Sequence, residues 1–337
     1  MPLTSLAVQL CRRPDGMPVE GDFRLVEAPL RELAPGEVLI RQLYMSVDPA
    51  MRPLLSQGYP LDAPLTAFAL GQIIQSRNPG FAEGALVANR LGFRDLAISE
   101  GTGLTIRPRL EGLPLSAWLS VLGNTGFTAY GGLLEIARTR GEDRVFVSTA
   151  AGAVGSIAVQ IARNLGCEVT GSTGSADKVR WLREVAGITS VINYREEPIA
   201  EALRAAMPGG IDVYFDNVGG DHLDAALPLM NPLGRIAVCG MIAGYNRPNA
   251  VNPVSNLSQI IYKRVTIRGF VGTDFADQQG QFEAQMADWI RVGRIRWAED
   301  ISEGLASAPR ALIGVLRGEN LGKALVRIFD RQQPKKV

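Results

Sequence analysis

Short apolar runs alternate with amphipathic stretches along the second half of the chain. The apolar runs have the length of strands and lie at 144–150, 167–173, 190–194, 211–218, 235–241 and 265–271. The stretches between and after these runs repeat apolar residues at helical spacing, namely Val154, Ile157, Ile161 and Leu165, then Ile199, Leu203 and Ala206, then Leu223, Leu227 and Met230, and, after the last run, Phe282, Met286 and Ile290. Parallel strands are apolar throughout because helices cover both of their faces. The pattern predicts an α/β fold with a Rossmann-type, doubly wound sheet of six parallel strands.

The first 120 residues lack this alternation and are rich in proline, glycine and short apolar runs. Segments 36–49 and 84–99 have the pattern of short strands beside turns. This part of the chain therefore predicts an irregular, mostly-β domain. One more apolar run, 319–329, follows the sixth strand of the sheet, and we expect it to return to that first domain.

The segment AAGAVG (150–155) joins the first predicted strand of the sheet to its helix. Gly152 lets the backbone approach a pyrophosphate, and Gly155 lets the helix pack closely on the sheet. The helix N-terminus offers unpaired N–H groups and a partial positive charge to an anion. Ala150 replaces the first glycine of the GxGxxG pattern, and a tight turn without a ligand is the alternative. The position after the first strand of a βα series favours dinucleotide binding.

The end of the second strand distinguishes between the two nicotinamide dinucleotides. Folds that select NAD carry a carboxylate there, bonded to the ribose 2′-hydroxyl. Here the segment is VTGSTGSADK (169–178), with small residues in place of the acid and Lys178 in the next helix. A lysine can meet a 2′-phosphate as a point charge, although a solvated lysine is the alternative. Asp177 can serve as a helix-start acid, and the segment as a whole favours NADP(H).

Composition excludes several partners. The chain has 337 residues, of which 46% are hydrophobic and 20% charged, as in an ordinary globular protein. Lys and Arg number 35 against 34 Asp and Glu, so bulk charge predicts no binding to nucleic acid. No apolar run reaches 18 residues, and we expect no membrane span.

Metal-binding side chains are scarce. The single histidine is His222, and the three cysteines, Cys11, Cys167 and Cys239, are far apart in sequence. This spacing matches neither a zinc motif nor a disulfide framework, so we expect no metal site. Reduced thiols fit a reducing compartment, and the absence of a secretory signal pattern adds to the expectation of a cytoplasmic protein.

Nearly the whole chain resembles the zinc-independent medium-chain dehydrogenase/reductases. The subgroup is that of prostaglandin reductase (leukotriene B4 12-hydroxydehydrogenase), plant alkenal double-bond reductase and bacterial curcumin reductase. The resemblance is carried by GEVLIRQLYMSVDPAMR (36–52), LGNTGFTAYGGLLEI (122–136), AAGAVGSIAVQIA (150–162), FDNVGG (215–220), GRIAVCGMIAGYN (234–246), IIYKRVTIRGFV (260–271) and GENLGKALVRI (318–328). It implies a GroES-like catalytic domain that begins at 1–121 and resumes at 296–337, an NADP-binding Rossmann domain at 122–295, and a homodimer.

The resemblance also implies which residues bind NADP(H). The turn that holds the pyrophosphate is formed by Gly152, Ala153, Val154 and Gly155, and the residues that face the 2′-phosphate are Lys178 and Tyr194. Asn217 lies near the ribose. The nicotinamide side is lined by two segments, Cys239, Gly240, Met241, Ile242, Ala243, Gly244 and Tyr245 in one, and Phe270, Val271 and Gly272 in the other. Asn320 closes over the cofactor from the other domain.

The implied reaction is the NADPH-dependent reduction of the carbon–carbon double bond of an α,β-unsaturated ketone or aldehyde. Tyr262 is implied as the donor beside the substrate carbonyl. A quinone reductase of the same superfamily and a non-catalytic NADPH-binding protein are the alternatives. Ala50, Phe93 and Asn124 depart from the subgroup's DPYMR, GWR and GMPGLTAY, so we expect an altered substrate pocket.

Dialysis against a strong chelator is expected to leave the activity unchanged, because one histidine and three scattered cysteines cannot supply the usual ligands of a catalytic zinc. The check is the turnover rate before and after dialysis, with elemental analysis of the purified protein. Stoichiometric zinc together with a loss of activity on dialysis would contradict the expectation.

Overall fold

The computed structural model describes residues 3–246 and 254–328. The chain forms two compact units, which we describe separately. One contains the chain up to Leu119 and from Glu299 onwards, and the other is Ser120–Ala298. Residues 329–337, the last part of the expected return to the first domain, lie outside the described residues.

Within the described ranges the strands, in chain order, are β1 Thr4–Leu10, β2 Phe23–Pro29, β3 Val38–Ser46, β4 Ala69–Ser76, β5 Leu86–Asn89, β6 Leu96–Ser99, β7 Thr105–Arg107, β8 Arg144–Val147, β9 Glu168–Thr173, β10 Ser190–Asn193, β11 Ile211–Asp216, β12 Met230–Val238, β13 Thr266–Gly269, β14 Glu299–Glu303 and β15 Lys323–Arg327. The α-helices are α1 Met51–Gln57, α2 Asn124–Gly131, α3 Gly155–Asn164, α4 Ala176–Glu184, α5 Ile199–Ala206, α6 Gly220–Ala226, α7 Ile242–Tyr245, α8 Gln259–Lys263, α9 Gln279–Arg291 and α10 Ala308–Arg317.

The Ser120–Ala298 unit is built on a six-stranded sheet. Its strand order is β10-β9-β8-β11-β12-β13, and every neighbouring pair is parallel. Counted from β8, this is the order 3-2-1-4-5-6 of dinucleotide-binding sheets. The predicted Rossmann-type fold is confirmed. The order reverses between β8 and β11, so ligands are expected at the carboxyl ends of these two strands.

The first unit has a seven-stranded sheet in the order β14-β15-β3-β4-β5-β7, with β6 also paired to β3. The two-stranded pair β1-β2 lies beside it. Strand β15 runs antiparallel to β3, with Leu325 opposite Ser46, so the chain returns to this unit near its end. The predicted mostly-β character of the first 120 residues is confirmed.

At two positions the helices of the structure differ from those predicted by the spacing of apolar residues. Met230 was expected on a helical face, but α6 ends at Ala226, and Met230 begins β12 opposite Ile211. Pro228, which has no N–H group, lies in the short 3₁₀ turn between them and cannot continue an α-helical ladder. In α9 the third buried side chain is that of Trp289, and Ile290 is only half-buried.

Gly126→Ala is expected to destabilise the Ser120–Ala298 unit by about 1–3 kcal/mol, the usual range for overpacking a well-packed interior. Gly126 lies in α2, and a methyl group there would overlap the backbone carbonyl oxygen of Val121. The measurement is the midpoint of thermal or urea unfolding.

Gly280→Ala is the matched control, because a methyl group on residue 280 would meet nothing within 4 Å. In the first turn of α9 it should stabilise by up to about 1 kcal/mol, because alanine loses less backbone entropy than glycine. Equal destabilisation by both substitutions would contradict the packing argument.

Candidate functional site

The turn after β8 packs too tightly for side chains at two positions. Thr149 adopts a positive φ of 51°, and its carbonyl oxygen accepts a hydrogen bond from Gly152 N at 2.9 Å. A methyl group on Gly155 would overlap that same oxygen, and one on Gly152 would lie 3.0 Å from Thr149 Cγ2. The absent side chains let α3 begin directly against the end of the strand. Half-exposed backbone at 152–154 is thereby left at the sheet's carboxyl edge.

The start of α3 is suited to an anion. No side chain caps this helix end, which has ten helical residues behind it. Such an end presents backbone N–H groups and the positive end of the helix dipole. Gly152, Ala153, Val154 and Gly155 lie at this helix start, where the two glycines let the chain pack against Thr149. Their role toward a pyrophosphate stays a prediction.

The end of β9 carries no acid before Asp177. Ser175 caps α4, where its Oγ accepts a hydrogen bond from Lys178 N at 3.4 Å. The Asp177 carboxylate pairs with Arg180 at 3.1 Å and is 85% exposed. The Asp177 carboxylate is thus paired within its own helix. Lys178 lies in the first turn of the same helix.

Gly174 and two side chains that the sequence analysis did not assign, those of Arg195 and His222, meet beside Tyr194. A methyl group on Gly174 would lie 2.7 Å from Tyr194 Oη and 3.3 Å from Arg195 Nε. The ring centroid of His222 lies 5.1 Å from that of Tyr194, with the ring planes at 83°. A hydroxyl and a guanidinium thus converge at an acid-free position. The basic residue directly after the tyrosine in INYREE was the available signal for Arg195.

Asn217 is held by the end of β8. Its Nδ2 donates to the Ser148 carbonyl oxygen at 2.7 Å, and its backbone N donates to Ser148 Oγ at 2.9 Å. The amide oxygen of Asn217 accepts no hydrogen bond from the described residues. Asn217 therefore has a fixed position at the switch point between β8 and β11.

The segment 239–245 lies against the end of β11. Cys239 N donates to the Asp216 carbonyl oxygen at 2.8 Å, and Ala243 N donates to the Val218 carbonyl oxygen at 3.2 Å. Tyr245 Oη accepts a hydrogen bond from Met241 N at 3.3 Å. The structure thus brings this segment together with Asn217. The roles of Cys239, Gly240, Met241, Ile242, Ala243, Gly244 and Tyr245 toward the cofactor stay predictions.

The segment after β13 is partly buried. The ring of Phe270 meets that of Phe215 edge-on at 6.1 Å, whereas Val271 is exposed. A methyl group on Gly272 would lie 3.3 Å from Asn124 Oδ1. Asn124, one of the departures from the subgroup pattern, therefore lies beside a segment predicted to follow the nicotinamide.

Tyr262 and Asn320 stand apart from these contacts. Tyr262 lies on the five-residue helix α8 with 75% of its surface exposed, and no hydrogen bond joins its hydroxyl to the described residues. Asn320 belongs to the first unit, where its Nδ2 donates to the Gly322 carbonyl oxygen at 2.7 Å. Their roles toward substrate and cofactor stay predictions.

The other two departures lie in the first unit. Ala50 is exposed directly before α1. Phe93 has no exposed surface and belongs to the hydrophobic core of that unit. The change from tryptophan to phenylalanine therefore affects core packing, and the expectation of an altered pocket rests on Ala50 and Asn124.

The cysteines of this chain are unbonded. Cys11, Cys167 and Cys239 are free thiols, and burial raises the pKa of both Cys167 and Cys239 to about 12. Among the described residues no group of three or more His, Cys, Asp or Glu side chains could hold a metal ion. None of the helices in the described ranges has the length and apolar character to span a bilayer.

Comparison with known proteins identifies the family of this chain. The family model for zinc-binding dehydrogenases matches residues 153–291, and that for the N-terminal domain of oxidoreductases matches residues 7–106. Prostaglandin reductase 1 of Bos taurus is 39% identical over 93% of this chain and 95% of its own. The NADPH-dependent curcumin reductase of Escherichia coli is 35% identical over 95% of each chain.

A solved structure shows the same fold with cofactor bound. The crystal structure of CurA in complex with NADPH from Vibrio vulnificus superposes with a TM-score of 0.91 at 34% identity. It covers 98% of this chain and 100% of its own. These likenesses support NADP(H) as the cofactor.

Lys178→Ala is expected to weaken NADPH binding by about 10- to 150-fold and to leave NADH binding nearly unchanged. The reason is the loss of a charge-assisted hydrogen bond to the 2′-phosphate, which contributes roughly 1.5–3 kcal/mol. The measurement is the dissociation constant of each nucleotide by fluorescence titration.

Arg180→Ala is the control, because it removes the same charge from the same helix at a side chain 63% exposed and paired with Asp177. It should change NADPH binding little. An equal loss of affinity for both nucleotides in Lys178→Ala would contradict contact with the 2′-phosphate.

Proposed function

The chain belongs to the zinc-independent medium-chain dehydrogenase/reductases, in the subgroup of prostaglandin, curcumin and alkenal reductases, and we propose that it reduces the carbon–carbon double bond of α,β-unsaturated ketones and aldehydes with NADPH. The observation that carries the proposal is the end of β9. There Tyr194 Oη and Arg195 Nε converge on Gly174, where a carboxylate would repel a 2′-phosphate.

The protein's part in the reaction is to bind and orient. When bound, NADPH supplies the hydride that goes to the β-carbon of the substrate. The turn at Gly152–Gly155 and the start of α3 would hold the pyrophosphate, and Asn217 would contact the ribose. The segments 239–245 and 270–272 would lie along the nicotinamide side.

Hydride addition to the β-carbon moves the electrons of the double bond onto the carbonyl oxygen, and the product is an enolate. A hydrogen-bond donor aimed at that oxygen stabilises the transition state more than the ground state. The Tyr262 hydroxyl is proposed as this donor. Protonation of the α-carbon, by Tyr262 or by water, completes the saturated product. The conjugated carbonyl already polarises the double bond, so the step requires no metal.

A homodimer in the cytoplasm is the proposed setting. Among the described strands β13 is an edge of the six-stranded sheet, and its outward-facing N–H and C=O groups can pair with a second copy. Ile261 and Val271, on either side of this strand, expose 76% and 62% of their surfaces. The three free thiols support a reducing compartment.

The test of the reaction is the loss of NADPH absorbance with a panel of enones and enals, with quinones, and without substrate. Turnover with enones and a saturated carbonyl product by mass spectrometry is the expected outcome. Turnover with quinones alone would replace the proposal with quinone reduction. Binding of NADPH without turnover on any panel member would mark a non-catalytic binding protein.

Tyr262→Phe is expected to lower kcat about 10- to 100-fold with a good enone. Loss of one donor at a developing oxyanion costs roughly 10²–10³ in kcat, and the ribose hydroxyl and water compensate in part here. NADPH affinity should not change, because the ring is assigned to the substrate. An equal fall in kcat and kcat/KM marks a transition-state role.

Ile261→Val is the matched control on the same helix, because this side chain is as exposed as its neighbour. It should leave kcat unchanged. An unchanged kcat in Tyr262→Phe would withdraw the catalytic assignment, and an equal loss in both variants would place the effect in the helix.

A further inference from the structure

We propose that His222 and Gly174 are positioning residues that hold the Tyr194 phenol in place, and that the preference for NADPH over NADH depends on both. The inference rests on the NADPH-binding part of the proposed function, in which Tyr194 faces the 2′-phosphate. It extends nucleotide selection to a histidine on α6, which the sequence separates from Tyr194 by 28 positions.

The backbone of Tyr194 is fixed by the sheet. Asn193 and Thr173 are partners at the carboxyl ends of β10 and β9, and Tyr194 N donates to the Thr173 carbonyl oxygen at 3.1 Å. The side chain is less constrained, because 38% of the residue is exposed. Contacts with the ring must therefore fix the direction in which the hydroxyl points.

His222 supplies one of these contacts. It lies in the first turn of α6 and exposes only 6% of its surface. Its ring meets that of Tyr194 at 5.1 Å with the planes at 83°. Edge-to-face pairs are directional, because the positive edge of one ring faces the negative face of the other. The buried imidazole thus restricts the tilt of the exposed phenol.

The imidazole acts by shape rather than by charge. Burial lowers the pKa of His222 to about 4, so the ring is neutral at pH 7. Its Nε2 is buried and has no hydrogen-bond partner among the described residues. A phenylalanine ring should therefore replace it without loss of this role.

Gly174 fixes the other end of the phenol. A methyl group on this residue would lie 2.7 Å from Tyr194 Oη and 2.9 Å from Tyr194 Cζ. Atoms cannot approach so closely, so any side chain at residue 174 displaces the hydroxyl. The phenol occupies a slot bounded by the His222 ring on one side and by bare backbone at its tip.

The experiment measures dissociation constants of NADPH and NADH by fluorescence titration, without any carbonyl substrate. In His222→Ala, NADPH binding is expected to weaken by about 2- to 10-fold, the range of one aromatic pair, with NADH unchanged. The preference ratio is defined as the affinity for NADPH divided by the affinity for NADH. His222→Phe should keep this preference ratio at its wild-type value, and Gly174→Ala should lower it with His222 intact. The loss of preference in the variant that carries both His222→Ala and Gly174→Ala should be smaller than the product of the two single losses, because both residues act through Tyr194.

Leu223→Ala is the matched control, because it opens a cavity at the next buried position of α6. It should lower the unfolding midpoint and leave the nucleotide ratio unchanged. If His222 only stabilised the fold, or if its loss loosened α6 as a whole, His222→Ala would weaken the binding of NADPH and NADH equally. Should His222→Ala fail to fold, Gly174→Ala and His222→Phe decide the matter.

The proposal is overturned if His222→Ala or Gly174→Ala keeps the wild-type ratio, or if His222→Phe lowers it as alanine does. Equal binding of both nucleotides by the unmodified protein would instead overturn the assignment of Tyr194 to the phosphate, and this inference with it. If the protein fails to reduce enones, the measured affinities for NADPH and NADH are unaffected. Failure of the proposed reaction is therefore distinguishable from failure of this inference.

Discussion

One carboxylate oxygen joins the ends of the two central strands of the parallel sheet. Oδ1 of Asp216 accepts hydrogen bonds from Tyr214 Oη at 2.6 Å, Val218 N at 2.8 Å, Gly219 N at 2.9 Å and Ser148 Oγ at 3.3 Å. The donors come from β11, from the turn that follows it, and from the residue after β8. The strand order reverses here, so this cross-connection fixes the edge of the sheet at which ligands of such folds bind.

The connection is made at some energetic cost. Burial raises the pKa of Asp216, and the hydrogen bonds it accepts only partly offset this. Its Oδ2 is buried without a partner among the described residues. A buried polar group retained in this way orders its neighbours. Here the neighbours are Asn217, which Ser148 holds on both its backbone and side-chain nitrogens, and the loop from Cys239 onwards.

The sequence predicts the parallel sheet well because each strand is a separate apolar run and the glycine turn marks the first. It fails where proline chemistry overrides periodicity, as at Met230. The pairing of Tyr194 with Gly174 and His222 could not be read from spacing, because it joins three separate βα units. The roles taken from the family resemblance, among them those of Lys178 and Tyr262, remain for experiment.

The protonation state of the cysteine thiols decides whether the proposed substrates can alkylate them. Enones and enals are electrophiles that add to thiolates at the β-carbon, and a reductase must meet them repeatedly without being alkylated. A thiol with a pKa of about 12, as at Cys167 and Cys239, has almost no thiolate at pH 7. The Cys167 thiol also donates to the Arg140 carbonyl oxygen at 3.0 Å, which keeps its proton occupied. The raised pKa values therefore make Cys167 and Cys239 poor targets for the thiol-reactive compounds that the protein is proposed to reduce.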